Sequence, residues 1–143
     1  MSTSFKFYHD STLTQEITAL NPLTATQETT GALGPVDKTI YLGSTNAANK
    51  VQAVSNPGVD PIVVSIADAN AGTGAPASEF KLALTSGGLT TATAGASLNL
   101  SNTINGGSAN AVPIYTRRAS ALTTAGSYTD ISLNTNSIIE TPI

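Results

Sequence analysis

Apolar and polar residues alternate along most of this chain. Ile62, Val64 and Ile66 share one parity, with Val63 and Ser65 between them. Phe80, Leu82 and Leu84 do the same against Lys81, Ala83 and Thr85. Ile40 and Leu42 flank Tyr41, Leu98 and Leu100 flank Asn99, Val112 and Ile114 flank Pro113, and Ile131 and Leu133 flank Ser132. Successive side chains of a strand point to opposite faces, so a period of two gathers each apolar set on one buried face. The expected core is therefore Ile40, Leu42, Ile62, Val64, Ile66, Phe80, Leu82, Leu84, Leu98, Leu100, Val112, Ile114, Ile131 and Leu133.

Turn-forming residues punctuate these runs. They include Gly43–Asn46, Asn56-Pro57-Gly58, the Gly- and Ala-rich stretch 68–76, Gly87-Gly88, Asn105-Gly106-Gly107 and Gly126. Asn-Gly is a strong turn dipeptide. Short strands at regular spacing predict an all-β fold, an antiparallel β-sandwich (Ig-like or jelly-roll-like) of about seven to nine strands. No convincing helix is present: Thr12–Leu20 is too β-branched, and Thr90–Ala96 is too short for more than a loop or single turn.

Residues 1–30 differ from the sandwich domain expected over 31–143. Phe5, Phe7 and Tyr8 make an aromatic start, and Thr24–Gly34 is polar. Two readings fit: an N-terminal arm packed on its own sandwich or on a neighbouring subunit, or an ordinary first strand followed by a loop.

The 143 residues fit one domain. A chain of this size can bury roughly two thirds of its unfolded surface without staples. There is no cysteine, which removes disulfides, thiolate metal sites and cysteine nucleophiles together. Only 10% of residues are charged, and Thr, Val, Ile, Ala, Ser, Asn and Gly abound. That composition suits pleated strands, and a surface that neighbours will cover. Net charge is −3 with six Lys plus Arg and no basic patch, so nucleic acid is not expected as a direct partner. Residues 1–10 lack the apolar core of a signal peptide. No apolar run approaches the ~18 residues that span a bilayer. The expectation is a chain made in the cytoplasm of the cell that produces it, with no membrane partner.

Candidate chemistry is sparse. The single histidine, His9, adjoins Asp10, but no Gly-x-Ser-x-Gly elbow accompanies it. The nine acids suggest no pair across a cleft. Asp68-Ala-Asn70-Ala-Gly72 echoes half a calcium loop but lacks the third ligand and the distal Glu. Gly31–Gly34 and Gly72–Gly74 are not followed by Lys-Ser/Thr, as a phosphate cradle requires. Asn99-Leu-Ser101 matches a glycosylation sequon without a secretion signal. The expectation is no enzyme, no cofactor and no metal. Arg117-Arg118 is the one adjacent basic pair, and alternation sends its side chains to opposite faces. Either meets a neighbouring protein or solubilises a strand end. Phe5, Phe7, Tyr8, Arg117 and Arg118 are the candidate interface residues.

Four stretches carry a resemblance: Asp37–Gly43, Asn56–Ile66, Phe80–Thr85 running on through Gly95–Leu98, and Ile104–Arg117. Together they resemble small β-sandwich proteins of tailed-phage virions, including capsid decoration (cement) proteins. The likeness spans most of 36–133 and lies in phrasing and strand layout. It implies an oligomeric virion subunit, a trimer being favoured, that stabilises the shell through contacts with the major capsid protein or other virion proteins. A tail, neck or fibre component and a carbohydrate-binding or adhesin module are the alternatives.

Overall fold

The computed structural model describes residues 3–26, 35–69, 76–119, 129 and 131–143. The described residues form ten strands: β1 (Lys6–Tyr8), β2 (Val36–Gly43), β3 (Asn49–Ala53), β4 (Val63–Asp68), β5 (Phe80–Ala83), β6 (Leu98–Asn99), β7 (Thr103–Asn105), β8 (Val112–Arg118), β9 (Ile131–Thr135) and β10 (Ile138–Pro142). All pairings are antiparallel. One sheet has four strands in the order β1-β2-β8-β5; two others have three each, β10-β3-β7 and β6-β4-β9. The fold is an all-β antiparallel sandwich.

The two three-stranded sheets are halves of one layer. Val54 N–H bonds to Ser137 O at 2.9 Å, and Asn136 N–H bonds to Val63 O at 3.0 Å. Adjacent residues of the β9–β10 segment thus face Val54 and Val63, nine positions apart in sequence. On the opposite flank, Ile62 exchanges backbone bonds with Leu100 and Ser101. β3 and β4 are therefore one line interrupted by an excursion over residues 55–61, a β-bulge of unusual size. Asn136 closes the gap: its Oδ1 accepts from Val63 N–H at 2.9 Å and its Nδ2 donates to Pro61 O at 3.2 Å. Joined end to end, the six short strands make three long ones, which brings the ten strands down to the expected count.

The core lies between the layers. Ile40, Leu42, Leu82 and Ile114 of the four-stranded sheet pack in one cluster with Val51, Val64, Ile104, Ile62 and Leu100 of the other layer. Phe5 joins them at 4% exposure. Residues 6–8 form β1, paired with the end of β2, and Ile17 and Leu23 pack against the core. The N-terminal segment is thus a first strand followed by a stretch laid on its own sandwich.

Several expectations change. Leu84, expected inside, is 50% exposed because β5 ends at Ala83; the next segment turns at Gly87–Thr90 and buries Leu89 instead. Phe80, Ile66, Leu98, Val112, Ile131 and Leu133 are only partly buried. Asn105-Gly106 closes no hairpin, because β7 pairs with β3 while β8 pairs with β2 and β5. Pro113 lies in a strand between two others, yet β5 reaches only to Tyr115. At Pro113 the strand is therefore paired on one side alone, as a residue without N–H requires.

Gly106 marks the tightest approach. A Cβ there would fall 2.0 Å from Asn46 O. Its neighbour Gly107 has φ of 95°, in the region that favours glycine.

Ile114 is fully buried at the centre of the longest pairing. Ile114→Ala is expected to cost about 2–5 kcal/mol, measured as a lower urea midpoint with an unchanged slope.

Candidate docking face

Strand parity divides the expected interface residues. Residues directly opposite in a ladder share a face. Tyr8 faces Tyr41, and Tyr41 faces Pro113. Thr39 faces Tyr115, which faces Ala83; Asp37 faces Arg117, which faces Lys81. These rows alternate with the buried rows of Leu42, Ile40 and Thr116, so they form the outer surface of the four-stranded sheet. Three of the chain's four tyrosines stand on this face, Tyr128 lying outside the described residues.

Of the five expected contact residues, Tyr8 and Arg117 are on this face. Phe5 and Phe7 take the other parity, Phe5 in the core and Phe7 packed against it. They are core residues of their own domain. Arg118 also points inward. It lies at the end of the sheet with its guanidinium 5.6 Å from the Phe80 ring centroid, a cation–π distance. Its Nη2 is 3.4 Å from Glu79 Oε2, and its Nη1 donates to Ala25 O at 3.1 Å. Glu79 is 5% exposed. Arg118 thus pins the N-terminal segment to the sheet, and its Nε is buried without an acceptor among the described residues.

Arg117 makes a forked bond to Asp37 across the outer face, Nε to Oδ1 at 2.7 Å and Nη2 to Oδ2 at 2.9 Å. This bond, chiefly, holds the Asp37 carboxyl below its ordinary range. Exposed pairs of this kind add little stability, so its effect is to fix the direction of both side chains.

Two turns frame the face. At one end Leu13 is buried, and a Cβ on Gly43 would fall 3.0 Å from Leu13 Cδ1. Leu13 has a φ of 56°, uncommon for a residue with a side chain. Asp10 holds that turn: its carboxylate accepts from the Thr12 and Thr14 hydroxyls and from the Thr14 and Gln15 N–H groups. The two hydroxyl bonds, more than the backbone ones, place its titration well below the usual carboxylate range. At another edge, the Gly87–Thr90 turn folds over Ala83; a Cβ on Gly88 would meet Ala83 Cβ at 3.2 Å. Burial, reinforced by the charges of Glu16 and Asp10, raises the Tyr8 phenol above its ordinary value.

The other candidate groups are committed within the fold. His9 Nε2 lies 3.0 Å from Asn21 O. Glu16 pairs with Lys6 at 3.7 Å, and Asp60 accepts from Ser55 Oγ at 2.7 Å. Glu140 accepts from Thr3 Oγ1, Ser4 N–H, Ser4 Oγ and Asn49 Nδ2 at 2.6–2.9 Å, joining the N-terminal segment to β10 and β3. These bonds, Ser4 Oγ first, lower its pKa from 4.5 to about 2. No group of three His, Asp or Glu that could hold a metal occurs among the described residues. The calcium-like stretch falls outside them from Asn70 onward, as do both Gly-containing loops, Glu28 and Asp130. No helix among the described residues is long and apolar enough to cross a membrane.

Sequence reasoning singled out neither Tyr41 nor Tyr115 for this face, nor Glu140 for its clasp. Tyr41 and Tyr115 were detectable, since each occupies the polar parity of a run read as a strand. Nothing near Glu140 in sequence points to its partners, which lie at residues 3, 4 and 49.

Comparison with protein families, with curated proteins and with solved structures gives no match.

Two measurements check these assignments. Arg118→Ala is expected to cost about 3 kcal/mol, because it removes the cation beside the buried Glu79 carboxylate together with the bond to Ala25 O, whereas Arg117→Ala should leave the melting temperature nearly unchanged. The folded pKa of Glu140 lies below its unfolded value, so its contribution is present above pH 4.5 and is lost as pH falls toward 2. Glu140→Gln should remove that part of the acid dependence and, the group being partly exposed, cost about 1 kcal/mol at neutral pH by denaturant titration.

Proposed function

We propose that this chain is a structural subunit of a phage particle, a decoration protein that strengthens the capsid through contact area. The observation that carries the reading is the outer face bearing Tyr8, Tyr41 and Tyr115 beside Pro113 and the Asp37–Arg117 pair. Tyr and Arg are enriched at protein interfaces, and Tyr supplies large contact area at low cost in side-chain entropy. The low charge of the chain, together with acids bonded within their own fold, favours a role in packing over one in proton transfer. The resemblance of most of residues 36–133 to virion β-sandwich proteins points the same way. On this reading the partner is the major capsid protein or another virion protein, the assembly is a homo-oligomer such as a trimer, and the location is the virion. Binding to the assembled shell and not to its free subunits stabilises the shell by mass action. Many weak contacts engaged together suffice.

One observation favours a second reading. A shallow groove of about 350 Å³ beside β7 is lined by Ser101, Thr103, Asn105 and Asn110 with Ile104 and Val112. Its neutral hydroxyl and amide groups match a hydroxyl-rich ligand such as a sugar. Binding on a glycan array, lost in Asn110→Ala, would favour this reading over the structural one.

Mass spectrometry of purified particles should detect the chain at a fixed ratio to the capsid protein; particles without it would end the proposal. Added back to stripped particles, the Tyr41→Ser/Tyr115→Ser double variant should bind about tenfold or more weakly than the native chain while melting at a similar temperature.

A further inference from the structure

Asn105–Gly106 is the only Asn-Gly step in the chain. In a flexible chain such a step modifies itself. The Gly amide nitrogen attacks the Asn Cγ, ammonia leaves, and a succinimide forms. Water then opens the ring to aspartate or isoaspartate. Glycine favours the attack because it has no side chain to hinder it. Here the step occupies an unusual place. Asn105 is exposed at the end of β7, and Gly106 immediately after it is buried.

Four features oppose the attack. Asn105 is in extended strand backbone, which holds the next nitrogen away from its own side chain. The Gly106 N–H, the nucleophile's own proton, is donated to Asn49 O at 2.8 Å. Gly106 O accepts from Asn110 Nδ2 at 2.8 Å, and Gly107 N–H bonds to Ser44 O at 2.7 Å, so the peptide planes on both sides of Gly106 are fixed. The space around Gly106 Cα is closed as well, a Cβ there lying 2.0 Å from Asn46 O. The backbone rotation that brings the Gly106 nitrogen to Asn105 Cγ therefore requires β7 to separate from β3.

We infer that Asn105–Gly106 is a deamidation site gated by the fold: inert while β7 is paired with β3, and reactive once that edge opens. The gate works in one direction. Isoaspartate adds a carbon to the backbone beside Gly106, where the contact with Asn46 leaves no room, and either product adds a negative charge. A chain that has formed isoaspartate in the open state cannot restore the original pairing, and the loss of ammonia makes either product permanent. The site therefore records how often this edge has opened, independently of what docks on the tyrosine face.

The test compares the intact folded chain, a peptide spanning residues 101–110, and Ile104→Val, which trims a core contact of β7. All three are held at mildly alkaline pH, and aspartate and isoaspartate at position 105 are followed by peptide mapping. Amide exchange at Gly106 is measured in parallel. The folded chain should deamidate about tenfold or more slowly than the peptide, since reaction is limited to the open fraction. The variant should react faster than the native chain, in proportion to its faster Gly106 exchange. If the variant does not fold, it should react at the peptide's rate. Native chain reacting as fast as the peptide, a rate that does not follow Gly106 exchange, or an unfolded variant as slow as the native chain would each overturn the inference.

Discussion

The register of β2 against β8 is the constraint on which the rest of the structure depends. Seven consecutive residues pair, from Val36–Arg118 to Leu42–Val112. A slip of one position would invert one strand against the other, bringing Tyr41 inward in place of Ile40 and Leu42, or Tyr115 inward in place of Ile114. The same register sets Arg117 beside Asp37 on the outside and sends Arg118 inward to Glu79 and Phe80. Core, outer face and the anchoring of the N-terminal segment all follow from it. The aromatic ring and the buried acid at the sheet end reinforce the register, because an Arg118 turned outward would abandon both.

Charge has an unusual distribution around this frame. Asp10, Glu16, Asp37, Asp60, Glu79 and Glu140 are held by hydroxyls, amides or cations of their own chain; Asp10 ties one turn together, and Glu140 ties the N-terminal segment to the β10–β3 pair. Asp10 maintains the turn that places Leu13 over Gly43. Glu140 links Thr3 and Ser4 with Asn49. Ser44, fully buried, carries this second network inward, with Oγ at 2.6 Å from Ser4 Oγ and its carbonyl bonded to Gly107. Acid, when it reaches these carboxylates, loosens the joints between elements and not the apolar core.

Strands with two or more alternating branched or aromatic residues were legible in the sequence. β2, β4, β5, β8 and β9 belong to this group, and most of their inward residues are buried or packed against the core. The unread strands lack that signature. β3 presents Val51 with the small Ala53 among Asn49, Lys50 and Gln52; β7 has Ile104 alone; β10 places Ile138 and Ile139 side by side. Their pairing is settled by partners distant in the chain, which local pattern does not encode. Leu84 shows the converse error, an alternation that continues past the end of its strand. The outer face was half legible: parity identifies Tyr41 and Arg117 as outward, while separating Phe7 from Tyr8 required the alignment of β1 on β2.

The excursion between Val54 and Val63 leaves the middle of a layer and rejoins it one ladder step further on. Its two feet are fixed by the neighbouring strands, so its length is uncoupled from the alignment of β3 and β4. Each doubling of a flexible loop costs only about 0.6 kcal/mol in closure entropy. Foreign peptide could be spliced between Asn56 and Asp60 without shifting a strand, which makes this segment a natural site for display.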